Sequence, residues 1–134
     1  MTDTYVGSID QGTTGTRFMV FDHSGEVVAN AYEKHEQIYP NPGWVEHDPV
    51  EIWENTKTVM TRGLEEAGLD PEQLEALGVT NQRETTIVWD AESGRPVHNA
   101  LVWQDRRTTD RVEEIQEADK GEMIREETGL EGDA

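Results

Sequence analysis

Three short segments carry residue types that can do chemistry. The first is Asp10-Gln11-Gly12-Thr13-Thr14-Gly15-Thr16-Arg17. Gly12 and Gly15 let backbone N–H groups come close to an anion. The hydroxyls of Thr13, Thr14 and Thr16 add donors, and Arg17 adds fixed positive charge. Such a set suits a phosphate. Asp10 alone would repel one, and makes sense beside it only if a Mg²⁺ lies between them, held through water. The Gly-Lys-Ser/Thr ending of a Walker A loop is absent, which removes that route. An ordinary Thr/Gly hairpin turn would use the same residues.

The second segment, Asn81-Gln82-Arg83-Glu84, follows an apolar run directly. In α/β folds ligands collect beyond the carboxyl ends of strands, and adjacent Arg and Glu supply the donors and acceptors a polyhydroxylated ligand needs. A surface salt bridge is the competing reading. The third is Trp103-Gln104-Asp105-Arg106-Arg107. A Trp at a strand end can pack on the carbon-bound hydrogens of a small polyol while polar neighbours orient it. The arginines could equally balance local acid. Trp44, in a Pro-Gly loop, and Trp53, on a helix, read as structural, and Trp89 reads as core.

The elements that position these residues follow from pattern. Tyr5–Asp10 and Arg17–Asp22 read as strands, and Phe18-Met19-Val20-Phe21, apolar on both faces, as a central one. A turn at Asp22-His23-Ser24-Gly25 leads to a third strand from about Glu26 to Gln37, giving an antiparallel meander. After the Pro-rich loop 39–44, Asp48 as N-cap, Pro49 at the first helical position and Glu51 as a capping-box partner open a helix. Ile52, Thr56, Val59, Met60, Gly63, Leu64 and Ala67 form its inner face, and Gly68 stops it. Leu77–Thr80 reads as a short buried strand, Thr85–Asp90 as another, and Val97–Trp103 as extended. From Thr109 the pattern is helical, with an acidic solvated face. Strands followed by helix–strand units mean mixed α/β.

Composition narrows the function classes. The 134 residues carry 29 acids against 11 bases, a formal charge of −18. Such a chain is repelled by nucleic-acid phosphates and anionic lipid. No apolar run reaches the length of a spanning helix. The start, Met1-Thr2-Asp3-Thr4, lacks the features of a secretory signal, so the cytoplasm is the expected compartment. Zero cysteines exclude disulfides and thiolate chemistry, and the four His lack zinc-like spacing. High charge with 34% hydrophobic residues leans toward disorder. The clustering of apolar residues into strand-like runs argues against it. So does the uneven charge, with ten acids and three bases in residues 109–134 but three acids in the first 22. Abundant acid with scarce Lys fits adaptation to high salt.

Taken in order, Ile9-Asp10-Gln11-Gly12-Thr13-Thr14, Pro42-Gly43-Trp44-Val45-Glu46-His47-Asp48-Pro49, Thr80-Asn81-Gln82-Arg83-Glu84-Thr85-Thr86 and Val102-Trp103-Gln104-Asp105-Arg106-Arg107-Thr108 resemble the FGGY family of carbohydrate kinases. The resemblance covers nearly the whole chain. The Asp-Gly-Thr loop marks only the wider sugar-kinase/actin/Hsp70 superfamily. The last two segments resemble the members acting on glycerol rather than on xylulose or gluconate. The resemblance implies an α/β, ribonuclease-H-like actin-ATPase fold, with residues 1–134 an incomplete first domain of a two-domain sugar kinase. It implies transfer of the ATP γ-phosphoryl group to glycerol, giving ADP and sn-glycerol 3-phosphate, with Mg²⁺, in a homo-oligomer. By position, Thr13, Thr14, Gly15 and Arg17 resemble nucleotide-phosphate contacts and Asp10 the metal-side carboxylate. Arg83 and Glu84 resemble ligands for glycerol hydroxyls, and Trp103 a wall of the glycerol pocket. A glycerol-contacting Tyr is expected just after Ala134, and the catalytic-base Asp, its neighbouring Gln and the adenine pocket further on. No catalytic residue is therefore expected within 1–134, and the isolated piece is expected to be inactive. The alternatives are a non-enzymatic remnant that binds phosphate or polyol weakly, a bare folding unit, or another FGGY sugar kinase.

Overall fold

The computed structural model describes residues 4–118 and 120–134. Met1-Thr2-Asp3, part of the start that lacks a leader signal, and Asp119, inside the C-terminal helical pattern, lie outside the described residues. Six strands and three α-helices occur among those described: β1 (Tyr5–Gln11), β2 (Gly15–Phe21), β3 (Val27–Lys34), β4 (Glu46–His47), α1 (Pro49–Ala67), β5 (Leu74–Thr80), β6 (Ala100–Leu101), α2 (Thr109–Glu117) and α3 (Gly121–Thr128).

β1, β2 and β3 form the antiparallel meander that the pattern predicts. Its second turn closes on Asp22, whose carboxylate accepts from the Ser24 and Glu26 N–H groups at 2.8 and 3.0 Å. β5 then joins parallel to β1, giving the order β3-β2-β1-β5. β2 is central, as its two-sided apolar run implies. One face of this sheet meets α1. Ile9, Phe18, Val20, Ala29 and Ala31 from the strands and Val59 and Leu64 from the helix make the core. Gly63 makes the approach possible, because a Cβ there would sit 2.8 Å from the buried Phe18 ring. α1 begins and ends where expected. The Asp48 carboxylate accepts from the Val50 N–H at 2.8 Å, and Gly68 adopts φ 66°.

Several local expectations change. Glu51 does not close a capping box. Its carboxylate instead accepts from the Glu36 N–H at 3.0 and 3.1 Å, tying the chain that leaves β3 to the start of α1. β3 ends at Lys34 rather than Gln37; one further bond in the same register, from the His35 N–H to the Thr14 carbonyl at 3.0 Å, follows it. β5 starts earlier than predicted and is not buried: Leu77 and Val79 are 43% and 66% exposed. It lies at the margin of the sheet, whereas α1 packs on β2 and β3. Thr85–Asp90 is not a strand. It makes only single bridges, Thr86 to Leu101 and Trp89 to Pro96. The extended piece 97–103 contracts to β6, which pairs with β4. Trp89 is 62% exposed, so it is not core. Trp53 is exposed too, its ring lying beneath the Lys57 ammonium, while Trp44 is half-buried beneath Arg107. α2 and α3 contain no buried residue among those described, in keeping with a solvated acidic face.

Candidate functional site

β1 and β5 run parallel, so their carboxyl ends open at the same edge, with Asp10 the register partner of Thr80. The loops that follow them therefore share one cleft, of about 420 Å³. Asp10, Gln11, Gly12 and Thr13 line one side. Thr80, Asn81, Gln82, Arg83 and Glu84 line the other, and Trp103 closes it. The Trp103 indole N–H donates to the Thr13 hydroxyl at 2.8 Å, joining the third segment to the first. The Asp10, Arg83 and Glu84 side chains make no hydrogen bond or ion pair among the described residues. Three charged groups thus face the cleft with their hydrogen-bonding capacity unspent. Glu84 has φ 60°, the one positive value at a non-glycine among the described residues. Backbone held in that sparsely populated region is characteristic of functional loops. A second cavity, of about 440 Å³, shares Glu84 and Trp103 and reaches Asp105, Glu131 and Ala134.

The other predicted phosphate contacts lie outside the lining of this cleft. The Thr14 hydroxyl pairs with the Tyr32 hydroxyl at 3.1 Å. Gly15 is wedged against β3, where a Cβ would fall 2.2 Å from the Glu33 carbonyl oxygen. Arg17 donates to Asn30 Oδ1 at 2.9 Å and lies 5.0 Å over the Tyr32 ring. Gly12, whose backbone was expected to approach an anion, lines the cleft, as do Asn81 and Gln82 of the second segment. Gln11 and Thr80 line it without an expected role, and their position at the ends of two strands was the available signal.

A buried polar layer supports the Thr13 loop. Gln37 Nε2 donates to the Thr13 carbonyl at 3.1 Å, and Gln37 Oε1 is 2.9 Å from His47 Nε2. Thr16 bridges Gln11 Oε1 at 2.9 Å and His35 Nε2 at 3.2 Å. The His35 and His47 rings are 5.6 Å apart. Burial pushes both imidazoles below their usual 6.5; each ring's proximity to the other adds to this at His47, and Glu51 opposes it at both. His47 Nδ1 and Gln82 Nε2 are buried without a hydrogen-bond partner, although the Gln82 amide approaches the His47 ring.

Behind Trp103 lies an ion cluster. Arg107 Nη2 is 2.6 Å from Glu46 Oε1 and 2.8 Å from Asp105 Oδ2, and its guanidinium lies 3.8 Å over the Trp44 ring. Burial alone would raise both carboxyls. The hydrogen bonds from Arg107, with Asn99 helping at Glu46, outweigh burial and hold both below the usual carboxylate range.

No group of three or more His, Cys, Asp or Glu suited to a metal occurs among the described residues. In this open cleft the Asp10 carboxylate, without a partner among the described residues, still fits Mg²⁺, which keeps several waters and takes one or two carboxylates together with phosphate oxygens.

A family model described as the N-terminal domain of the FGGY family of carbohydrate kinases matches residues 5–133. The glycerol kinases of Haloquadratum walsbyi and Haloarcula marismortui are 90% and 83% identical over all 134 residues, which make up 26% of each relative. Glycerol kinase 2 of Thermotoga maritima is 57% identical over 130 residues, 97% of this chain and 26% of the relative. The chain thus spans about a quarter of the length of the curated relatives it matches. Among solved structures, Plasmodium falciparum glycerol kinase with ADP superimposes with a TM-score of 0.87 at 34% identity, over 98% of this chain and 26% of that one. Gluconate kinase from Lactobacillus acidophilus superimposes with the same score at 21% identity, over 96% of this chain and 25% of that one, a likeness of fold. The mixed α/β, ribonuclease-H-like sugar-kinase fold implied by the sequence is borne out.

Proposed function

Because the chain belongs to the FGGY family of carbohydrate kinases, we propose that it forms the N-terminal part of an ATP-dependent glycerol kinase. The observation that carries this reading is the convergence of the Asp10 loop, the Arg83-Glu84 pair and Trp103 on one cleft, with three charged side chains that have no partner among the described residues. Phosphoryl transfer needs little covalent help from protein; it needs donor, acceptor and charge held in place. On this reading Arg83 donates to one hydroxyl of glycerol and Glu84 accepts from another, while the Trp103 ring packs on the carbon chain. The Thr13 hydroxyl and the Gly12 backbone face the phosphate. Thr14, Gly15 and Arg17 shape that loop from behind and set its potential. Asp10 would hold Mg²⁺, which when bound neutralises charge on phosphate oxygens. The acidic composition belongs to a protein working at high salt, and we place it in the cytoplasm as a homo-oligomer. Among the described residues no helix is long and apolar enough to cross a membrane.

The test uses the longer protein that contains this segment. ADP release is followed with glycerol, xylulose and gluconate as acceptors, in wild type and in Asp10→Asn. Glycerol preferred by far, with kcat lost by orders of magnitude in Asp10→Asn while glycerol binding persists, supports the reading. Preference for a sugar, or a wild-type Mg²⁺ dependence in Asp10→Asn, overturns it. The 134-residue piece alone should show no turnover.

A further inference from the structure

We infer that Arg107 is a positioning residue for Trp103, seating the indole against the cleft and so setting the fit of the acceptor pocket. The inference rests on the reading of Trp103 as the wall of that pocket. Trp103 has little hold of its own. It is 47% exposed, and among the described residues its side chain's one hydrogen bond is that to Thr13. What fixes it is the turn on which it stands. Val102 and Asp105, on either side, are buried. The Asp105 N–H donates to the Val102 carbonyl at 2.8 Å, and the Val102 N–H to the Val45 carbonyl at 3.1 Å. The Asp105 carboxylate accepts from the Val45 N–H at 2.7 Å and from the Arg107 N–H and Nε at 2.9 Å each.

Arg107 therefore ties the turn to β4 through Glu46, to itself through Asp105, and to the Trp44 ring by stacking. The side chains of Arg107, Asp105 and Glu46 are only 15%, 6% and 5% exposed. Two carboxylates share this one half-buried arginine, and the exposed His98 ring lies 4.0 Å from Glu46. Without the guanidinium the two anions would be desolvated beside each other, and the cheapest relief is for the turn to open toward water. Trp103 rides on that turn and would leave Thr13. Lysine cannot substitute. It keeps the charge as a point donor, but it lacks the planar fork that reaches both carboxylates while stacking on an indole.

A double-mutant cycle in the longer protein tests this, using Arg107→Lys, Trp103→Phe and the pair. Displacing a substrate-facing wall costs roughly tenfold or more. Arg107→Lys should therefore raise the glycerol KM roughly tenfold with the ATP KM within about twofold. In the Trp103→Phe background the same change should add less than about twofold, because residues acting through one contact are not additive. An arginine that serves stability alone would lower the melting temperature and leave the glycerol KM in place. An unchanged glycerol KM, or fully additive effects, overturns the inference. If Arg107→Lys has no cooperative melt, Glu46→Gln, which breaks one arm of the clamp, takes its place in the same cycle with the same criterion. A second readout is independent of glycerol. In fluorotryptophan-labelled protein the Trp103 fluorine resonance, identified by its loss in Trp103→Phe, should move in Arg107→Lys while those of Trp53 and Trp89 stay. If wild type does not phosphorylate glycerol, the functional reading fails, and the Trp103 resonance alone decides the coupling: a fixed one refutes it.

Discussion

Replacing Gly15 with alanine attacks the loop where β2 comes closest to the backbone of β3. The new Cβ would lie 2.2 Å from the Glu33 carbonyl oxygen and 2.6 Å from the Tyr32 hydroxyl. The hydroxyl is the far end of a side chain and can swing away. The carbonyl belongs to β3, where Thr16 pairs with Glu33 and Gly15 with Lys34. Relief to a tolerable 3.0 Å means opening the β2–β3 pair by at least 0.8 Å. That opening strains the Thr16–His35 and His35–Thr14 hydrogen bonds just beyond it. Overpacking of this kind costs about 1–3 kcal/mol, and backbone involvement puts Gly15 toward the upper end. Alanine returns roughly 0.4–1 kcal/mol by restricting the unfolded chain. The net loss is about 2 kcal/mol, which for a chain of this size lowers the melting temperature by roughly 6–10 °C. The assay is thermal unfolding followed by circular dichroism in concentrated KCl. Gly121→Ala is the control. It opens α3, and its Cβ would meet nothing within 4 Å, so it should melt at or slightly above wild type. Gly15→Ala melting within a degree of wild type would refute the steric argument.

Three further outcomes are expected. His35 and His47 are held below 6.5 by burial, so as pH falls through 6.5 the unfolded chain takes up protons before the folded one. Stability should then decline from about pH 6.5 toward 5, above the range where the paired carboxylates protonate. Urea midpoints against pH should show this slope, and His47→Gln should reduce it; an unaltered slope would clear His47 of the effect. Raising KCl from ~0.1 to ~1 M shortens the Debye length from about 10 to about 3 Å. With a charge of −18, the melting temperature should rise, and a flat response would remove the case for high-salt adaptation. In the longer protein, Arg83→Ala should raise the glycerol KM by about 10- to 150-fold, the equivalent of a charged hydrogen bond worth roughly 1.5–3 kcal/mol. An unchanged KM would return Arg83 to the role of a surface side chain.

What could be read from the sequence was what is local. Asp48-Pro49 and Gly68 bracket α1 because caps act within one turn of the helix, and Asp22 closes its turn within four residues. The meander was legible because its strands are consecutive. Glu51 was misread because its partner, the Glu36 N–H, lies across a loop, and no capping rule weighs a distant donor. Trp89 and β5 were misread for a related reason. Apolar character predicts burial only where something covers the residue, and α1 lies over β2 and β3. At the site, each segment was visible alone. That Trp103 meets Thr13, ninety positions away, depends on the parallel pairing of β1 with β5 and on the Glu46–Arg107 clamp. Sequence spacing expresses neither.

The register of Asp10 against Thr80 has an evolutionary corollary. Neighbouring strands stand about 4.8 Å apart, a spacing fixed by main-chain hydrogen bonds and indifferent to side-chain identity. The gap between the Asp10 loop and the segment starting at Asn81 is therefore not a variable that point mutation can reach. What mutation can reach is the lining: the residues after Thr80 and the ring carried on the 102–105 turn. A lineage built on this frame can change what lines one side of the cleft and leave the other side untouched. The gluconate kinase that is only 21% identical shares this fold. The frame conserves a distance, and selection is free to rewrite the vocabulary on one side of it.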